Sequence, residues 1–216
     1  MRTTGKKLTA TQVRFAENLA IEELSELRTE LTSLRAFPPL VRRGDGKYEG
    51  DILGFVKGLR LSARLIYFLR NRLSGTDLDV NWGHLIANGE SCSPECDVII
   101  HTKGHVRRWN GGDRPIMDFK FVETERVRAV VSCKSRLHGI DKSYPKALKK
   151  YGVKHVFLFA ECCNETQFEK LRQRAEAAGY SGLWCLYLVQ KGPSPIKSVE
   201  EMYVDFGKAI LKAVNP

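Results

Sequence analysis

The chain lacks any hydrophobic run near the ~20 residues that a membrane helix needs. Its basic start, Met1-Arg-Thr-Thr-Gly-Lys-Lys, is followed by no apolar stretch of the secretory kind, so the expected location is the cytoplasm and no membrane partner is expected. No low-complexity tract and no internal repeat interrupts it. No glycine loop of the GxxxxGK type cradles a phosphate, which excludes a P-loop NTPase. Six cysteines are present, at 92, 96, 133, 162, 163 and 185, but not at the spacings of a small disulfide framework. Cys133 and Cys185 fall within apolar runs and read as small hydrophobes in a reduced protein. No histidine is placed to activate Cys133, so a cysteine hydrolase is not expected.

What is present is a 216-residue chain, 43% apolar and 28% charged, long enough to bury a core of its own. The formal charge of +10 favours a polyanionic partner, because a basic surface attracts phosphate and gains from counterion release.

Apolar residues at Ala20, Leu24, Leu27, Leu31 and Leu34 mark one stripe of a first helix, opened by the capping spacing of Thr9 to Gln12. It is acidic and ends before Phe37-Pro38-Pro39, so residues 1–40 are assigned to an N-terminal helical segment and 41–216 to the main domain. This first helix is the place to expect a homodimer or a partner subunit. A second helix is predicted over Tyr48 to Leu73, stopped by Ser74-Gly75. Strands are then expected at Asp79–Ala87, Asp97–His101, Arg126–Lys134, Lys154–Ala160 and Leu183–Val189. Helices are expected at Ser143–Tyr151, Thr166–Ala178 and Val199–Val214. The order predicts an α/β chain, leaning to α+β, with a mixed central sheet flanked by helices.

Two short stretches carry the chemistry. Asp97 opens the apolar strand Asp97-Val-Ile-Ile-His101, and Lys134 closes Val130-Val-Ser-Cys-Lys134. Side chains alternate along a strand, so Ser132 and Lys134 share one face and Cys133 takes the other. If the strands pair, Asp97 and Lys134 converge at one end of the sheet.

These residues, from about Tyr48 to Glu161, resemble the PD-(D/E)xK phosphodiesterases, the restriction-endonuclease-like superfamily. Its core is a helix, a three-stranded antiparallel portion, a helix and a further strand. The resemblance implies a DNA endonuclease of restriction, repair or defence type. It implies Asp97 as a metal-binding aspartate, Lys134 as the lysine of the motif, and the backbone carbonyl of Cys133 as a further metal ligand. Magnesium is the expected cofactor, with manganese as the alternative. The sequence departs from the motif where Ser132 replaces the usual acid. The missing carboxylate is sought at Glu49, on the second helix, then at Glu161, Glu90 or Glu95. Without one, the alternative is an inactive nuclease-fold module that binds nucleic acid or a partner protein.

Candidate nucleic-acid contacts follow Lys134: Arg136, His138, Lys142, Lys146, Lys149, Lys150 and Lys154, with Lys146 and Lys150 one helical turn apart. Asp141 or Ser143 is expected to cap that helix. A second cluster, Lys103, Arg107, Arg108, Trp109 and Arg114, lies in a glycine-rich connection. A zinc site from Cys92, Cys96, His101 and His105 is the rival metal reading. It is disfavoured because Cys96 and His101 fall at opposite ends of one strand.

Overall fold

The structure is a computed structural model that describes residues 50–87, 91–104, 107–108, 119–190, 196–198 and 200–214. The first predicted helix, Glu49, Glu90, His105, Trp109 and Arg114 lie outside the described residues, as does the whole of the proposed N-terminal segment 1–40.

Helix α1 (Gly50–Arg72) leads through Gly75, in the left-handed region at φ +81°, into strand β1 (Leu78–Ala87). Then come β2 (Ser91–Cys92), β3 (Cys96–Thr102), β4 (Arg107–Arg108), β5 (Phe119–Glu123) and β6 (Val127–Leu137). Helix α2 (Ser143–Lys149), β7 (Val156–Asn164), α3 (Glu165–Ala178), β8 (Leu183–Val189), β9 (Ile196–Ser198) and α4 (Glu200–Val214) follow. The strand order is β4-β5-β1-β3-β6-β7-β8-β9, with β2 attached to β1. Strands β1, β3 and β6 are antiparallel neighbours, whereas β6, β7 and β8 run parallel through the α2 and α3 crossovers. This is the expected mixed sheet flanked by helices.

Two expectations are corrected. Lys134 does not end its strand: β6 continues to Leu137, because Arg136 and Leu137 still pair with Cys162 and Cys163 of β7. The connection between β3 and β6 holds two further short strands, and β5 pairs parallel with β1.

Strand alternation divides the core in two. Val98, Ile100, Ala129, Val131, Cys133, Phe157 and Phe159 pack under α1 and α4, against Leu65, Phe68, Phe206 and Ile210. Ile99, Val130, Val156, Leu158 and Ala160 pack under α2 and α3, against Leu148, Phe168, Leu171 and Ala175. The central strand β7 contributes to both and is buried along nearly its whole length, as a strand covered on two faces must be. All six cysteines are free. Among the described residues no helix is long and apolar enough to cross a membrane.

Candidate active site

Asp97 stands near the start of β3 and alternates with Val98, so it lies on the α2–α3 side of the sheet. Antiparallel pairing of Val98 with Val131, carried one step further, sets Asp97 opposite Ser132 of β6. Asp97 Oδ2 accepts the Cys133 backbone N–H at 2.7 Å. The buried Ser132 hydroxyl also bonds to this carboxylate. Lys134 is exposed, two residues along the same face, with its charge in reach of both Asp97 and Asp141. Burial pushes the Asp97 carboxyl above its ordinary value, and the Cys133 N–H and Lys134 oppose that shift. The expected convergence of Asp97, Ser132 and Lys134 is therefore what the two strands build.

The Cys133 side chain turns to the other face and meets Ser62 of α1. Burial raises its thiol well above the usual value, which suits a packing role and not a nucleophile. Its carbonyl leaves β6 on the same side as its N–H, toward β3 and Asp97, as strand geometry requires.

The remaining acids behave differently from one another. Glu161 lies in β7 but faces α1, where it pairs with Arg60 at 3.5 Å. The sheet thus separates it from Asp97, and it does not complete that site. Glu95 is exposed near Asp97 and accepts the Trp82 indole N–H at 2.6 Å. Glu49, the preferred candidate, is outside the described residues.

The described oxygens suited to a hard cation are thus the Asp97 carboxylate and the Cys133 carbonyl. Among the described residues no group of three or more His, Cys, Asp or Glu gathers. Magnesium commonly takes one or two carboxylates and fills its shell with waters and substrate phosphate. The donor set fits that kind of substrate-assisted site. The described members of the rival zinc set do not gather: His101 is 1% exposed and bonded to Asn81 and Thr102, and Cys96 is buried beside Ser93 and Pro94.

Helix α2 begins directly beside this site. Asp141 Oδ1 accepts from Ser143 N at 2.8 Å, Ser143 Oγ at 2.6 Å and Tyr144 N at 3.3 Å. Lys142 is already helical (φ −80°, ψ −16°), so Asp141 is the residue that caps the helix. Arg136, Lys142, Lys146 and Lys150 are exposed and have no acidic partner among the described residues. Lys149 is placed otherwise: its ammonium reaches over Gly179, the left-handed C-cap of α3, where the helix dipole favours a cation. Arg107 and Arg108 form β4, paired with Phe121 and Lys120 of β5.

Sequence reasoning missed three tyrosines. Tyr144 Oη donates to the Glu95 carbonyl at 3.1 Å, Tyr151 Oη to the Cys92 carbonyl at 2.8 Å, and Tyr180 Oη to the Asp141 carbonyl at 3.1 Å. The signal in the sequence for Tyr144 and Tyr151 was their seven-residue spacing within the helix expected over Ser143–Tyr151, although Tyr151 falls in the turn after α2; Tyr180 had none.

No protein-family model and no curated protein matches the sequence. Solved structures do. NucC of Escherichia coli MS115-1 in its apo form superposes with a TM-score of 0.51 at 12% identity, over 75% of this chain and 88% of that one. The cAAA-bound form of Pseudomonas aeruginosa ATCC27853 NucC gives 0.53 at 9% identity, over 96% and 93%. The cAAA-bound E. coli form gives 0.53 at 9%, over 98% and 93%. With the two cAAA-bound forms the likeness extends over nearly the whole length of both chains, and this chain has the fold of the NucC structures.

Proposed function

We propose that the protein is a metal-dependent DNA endonuclease of the defence type, hydrolysing phosphodiester bonds at Asp97 and Lys134. The observation that carries this reading is the juxtaposition across the β3–β6 pair. A buried carboxylate, a main-chain carbonyl and a lysine share one end of the sheet, beside a basic helix. A divalent ion held there, magnesium or manganese, would make a water nucleophilic and stabilise charge on the phosphate. Lys134 orients or deprotonates the attacking water and offsets phosphate charge. Ser132 holds the carboxylate in place and supplies no negative charge, so the site depends on substrate oxygens or on Glu49 for the rest of its ligands. Arg136, Lys142, Lys146 and Lys150 hold the phosphate backbone.

The test is incubation with supercoiled and single-stranded DNA, in magnesium, manganese or EDTA. Because two of the similar structures are cAAA-bound forms, each reaction is run with and without cAAA. Metal-dependent cutting abolished by Asp97→Ala and by Lys134→Ala is the expected result. Cutting that survives both substitutions removes the site assignment.

A second reading is a nuclease-fold module that binds nucleic acid or a partner protein without cutting. It is favoured by one observation: both the Ser132 hydroxyl and the Cys133 N–H are spent on Asp97, and Glu95, the described carboxylate near it, is bonded to the Trp82 indole. Salt-sensitive DNA binding with no cutting under any of these conditions would select it.

A further inference from the structure

The segment that delivers Asp97 is held by four side chains from other parts of the chain and by its own Ser93. Tyr151 fixes the Cys92 carbonyl and Tyr144 the Glu95 carbonyl. Ser93 Oγ accepts Leu85 N at 2.9 Å, and the His84 ring donates to the Ser93 carbonyl at 2.7 Å. Trp82 holds the Glu95 carboxylate. Residues 92–95 have little regular pairing of their own beyond the two-residue β2. Without those ties, the start of β3 would be free to drift by the fractions of an ångström that matter at a metal site.

Two of these ties come from α2 and the turn that follows it, Tyr144 from the helix and Tyr151 from the turn, and the start of α2 is set by Asp141 beside Lys134. One short helical segment therefore contacts both halves of the site. Asp141 positions its N-terminal turn near Lys134, Tyr180 anchors that turn through the Asp141 carbonyl, and the two phenols reach across to the chain entering Asp97.

Resting on the nuclease reading above, we infer that Tyr144 and Tyr151 are positioning residues that set Asp97 against Lys134 and Cys133 through the Glu95 and Cys92 carbonyls. Neither phenol touches the reacting atoms. Each removes a freedom of the segment that carries the aspartate. Outer-sphere partners of this kind typically govern metal affinity by one to two orders of magnitude. Magnesium demands near-ideal octahedral geometry, so a displaced Asp97 harms magnesium-supported cleavage more than manganese-supported cleavage.

The experiment uses the full chain with Tyr144→Phe, Tyr151→Phe and the double substitution, which keep the rings and delete the hydroxyls. Thermal unfolding establishes that each variant is folded. Manganese alone is titrated into the protein by electron paramagnetic resonance, with Asp97→Ala as the reference for lost binding. Plasmid cleavage rates are then compared in magnesium and manganese. Expected for the double variant are manganese binding about ten-fold weaker and a manganese-to-magnesium rate ratio above that of the unsubstituted protein. A merely unstable variant lowers both rates equally and leaves the ratio where it was, which overturns the inference. Unchanged manganese affinity in a folded double variant also overturns it, while leaving the nuclease reading intact. An unsubstituted protein that neither binds manganese nor cuts DNA defeats the nuclease reading itself, and this inference with it.

Discussion

His101 is 1% exposed and sits in a chain of polar groups whose donors and acceptors are fully matched. Its Nδ1–H donates to the Thr102 carbonyl at 2.9 Å, and its Nε2 accepts from Asn81 Nδ2 at 2.6 Å. Asn81 Oδ1 accepts from Arg70 at 2.9 Å, so the amide cannot turn over without breaking that bond. Only a neutral imidazole fits, and burial lowers its pKa from 6.5. Its contribution to stability is therefore complete above pH 6.5 and is lost as pH falls through the lowered folded value. Urea unfolding at pH 7.5 and 5.5 should show that loss. In His101→Gln the pH slope should be shallower, with a cost of ~1–3 kcal/mol at the higher pH from disrupted hydrogen bonds. Asp97 has the opposite sign. Its folded pKa is raised, so the folded state favours the protonated form, and its contribution fades as pH rises through that value. Asp97→Asn should unfold at a higher temperature than the unsubstituted protein at pH 7, and the difference should shrink in acid. Such a gain on removing a group is the signature of a residue kept for function.

At the scale of elements, Asp141 and Gly83 make the sharpest predictions. Three donors converge on Asp141 Oδ1 at the start of α2. Asp141→Ala should cost about 0.5–2 kcal/mol, read as a shift in the urea midpoint. Hydrogen bonding to Ser143 lowers the carboxyl pKa, so that contribution is present at neutral pH and lost as acid protonates it. Gly83 lies where β1 meets β5, at φ +152°, and an added Cβ would fall 1.8 Å from the Lys120 carbonyl oxygen. Gly83→Ala should disrupt this pairing and cost on the order of 3 kcal/mol, measurable as a drop in Tm. Most elements were legible in the sequence because their signals are local. The Leu183–Val189 strand matches its apolar run end to end, and Gly75 stops α1 where a left-handed residue is needed. Strand β5 was not legible: Phe119–Glu123 is brief and contains Lys120, whose burial becomes apparent only beside β1.

At the scale of the whole molecule, the uneven distribution of charge matters more than the net +10. Lys146 on α2 and Lys150 at its C-cap stand four residues apart and are exposed without an acidic neighbour among the described residues. Each phosphate contact steepens the dependence of binding on salt by ~0.9 logarithmic units per logarithm of salt concentration. The double substitution Lys146→Ala and Lys150→Ala should reduce that slope by about two units in fluorescence anisotropy with duplex DNA. Manganese binding at Asp97 should be unaffected. Lys149→Ala should act on stability more than on DNA, because its ammonium lies at the C-terminus of α3.

The shared face of Ser132 and Lys134 was legible in the sequence, because a two-residue period within one strand dictates it, whereas Asp97 stands beside them only through the β3–β6 pairing. The α/β character and the basic residues around α2 were likewise legible. Pairing decided the rest. The sequence treated Glu161 as a neighbour of Asp97, since both flank apolar strands, but the sheet sends Glu161 to Arg60 on the opposite face. The tyrosine anchors were invisible for the same reason: Tyr144 and Glu95, or Tyr151 and Cys92, are joined by hydrogen bonds between distant parts of the chain. Periodicity reports which side of an element a residue occupies. Only the folded chain decides what waits there.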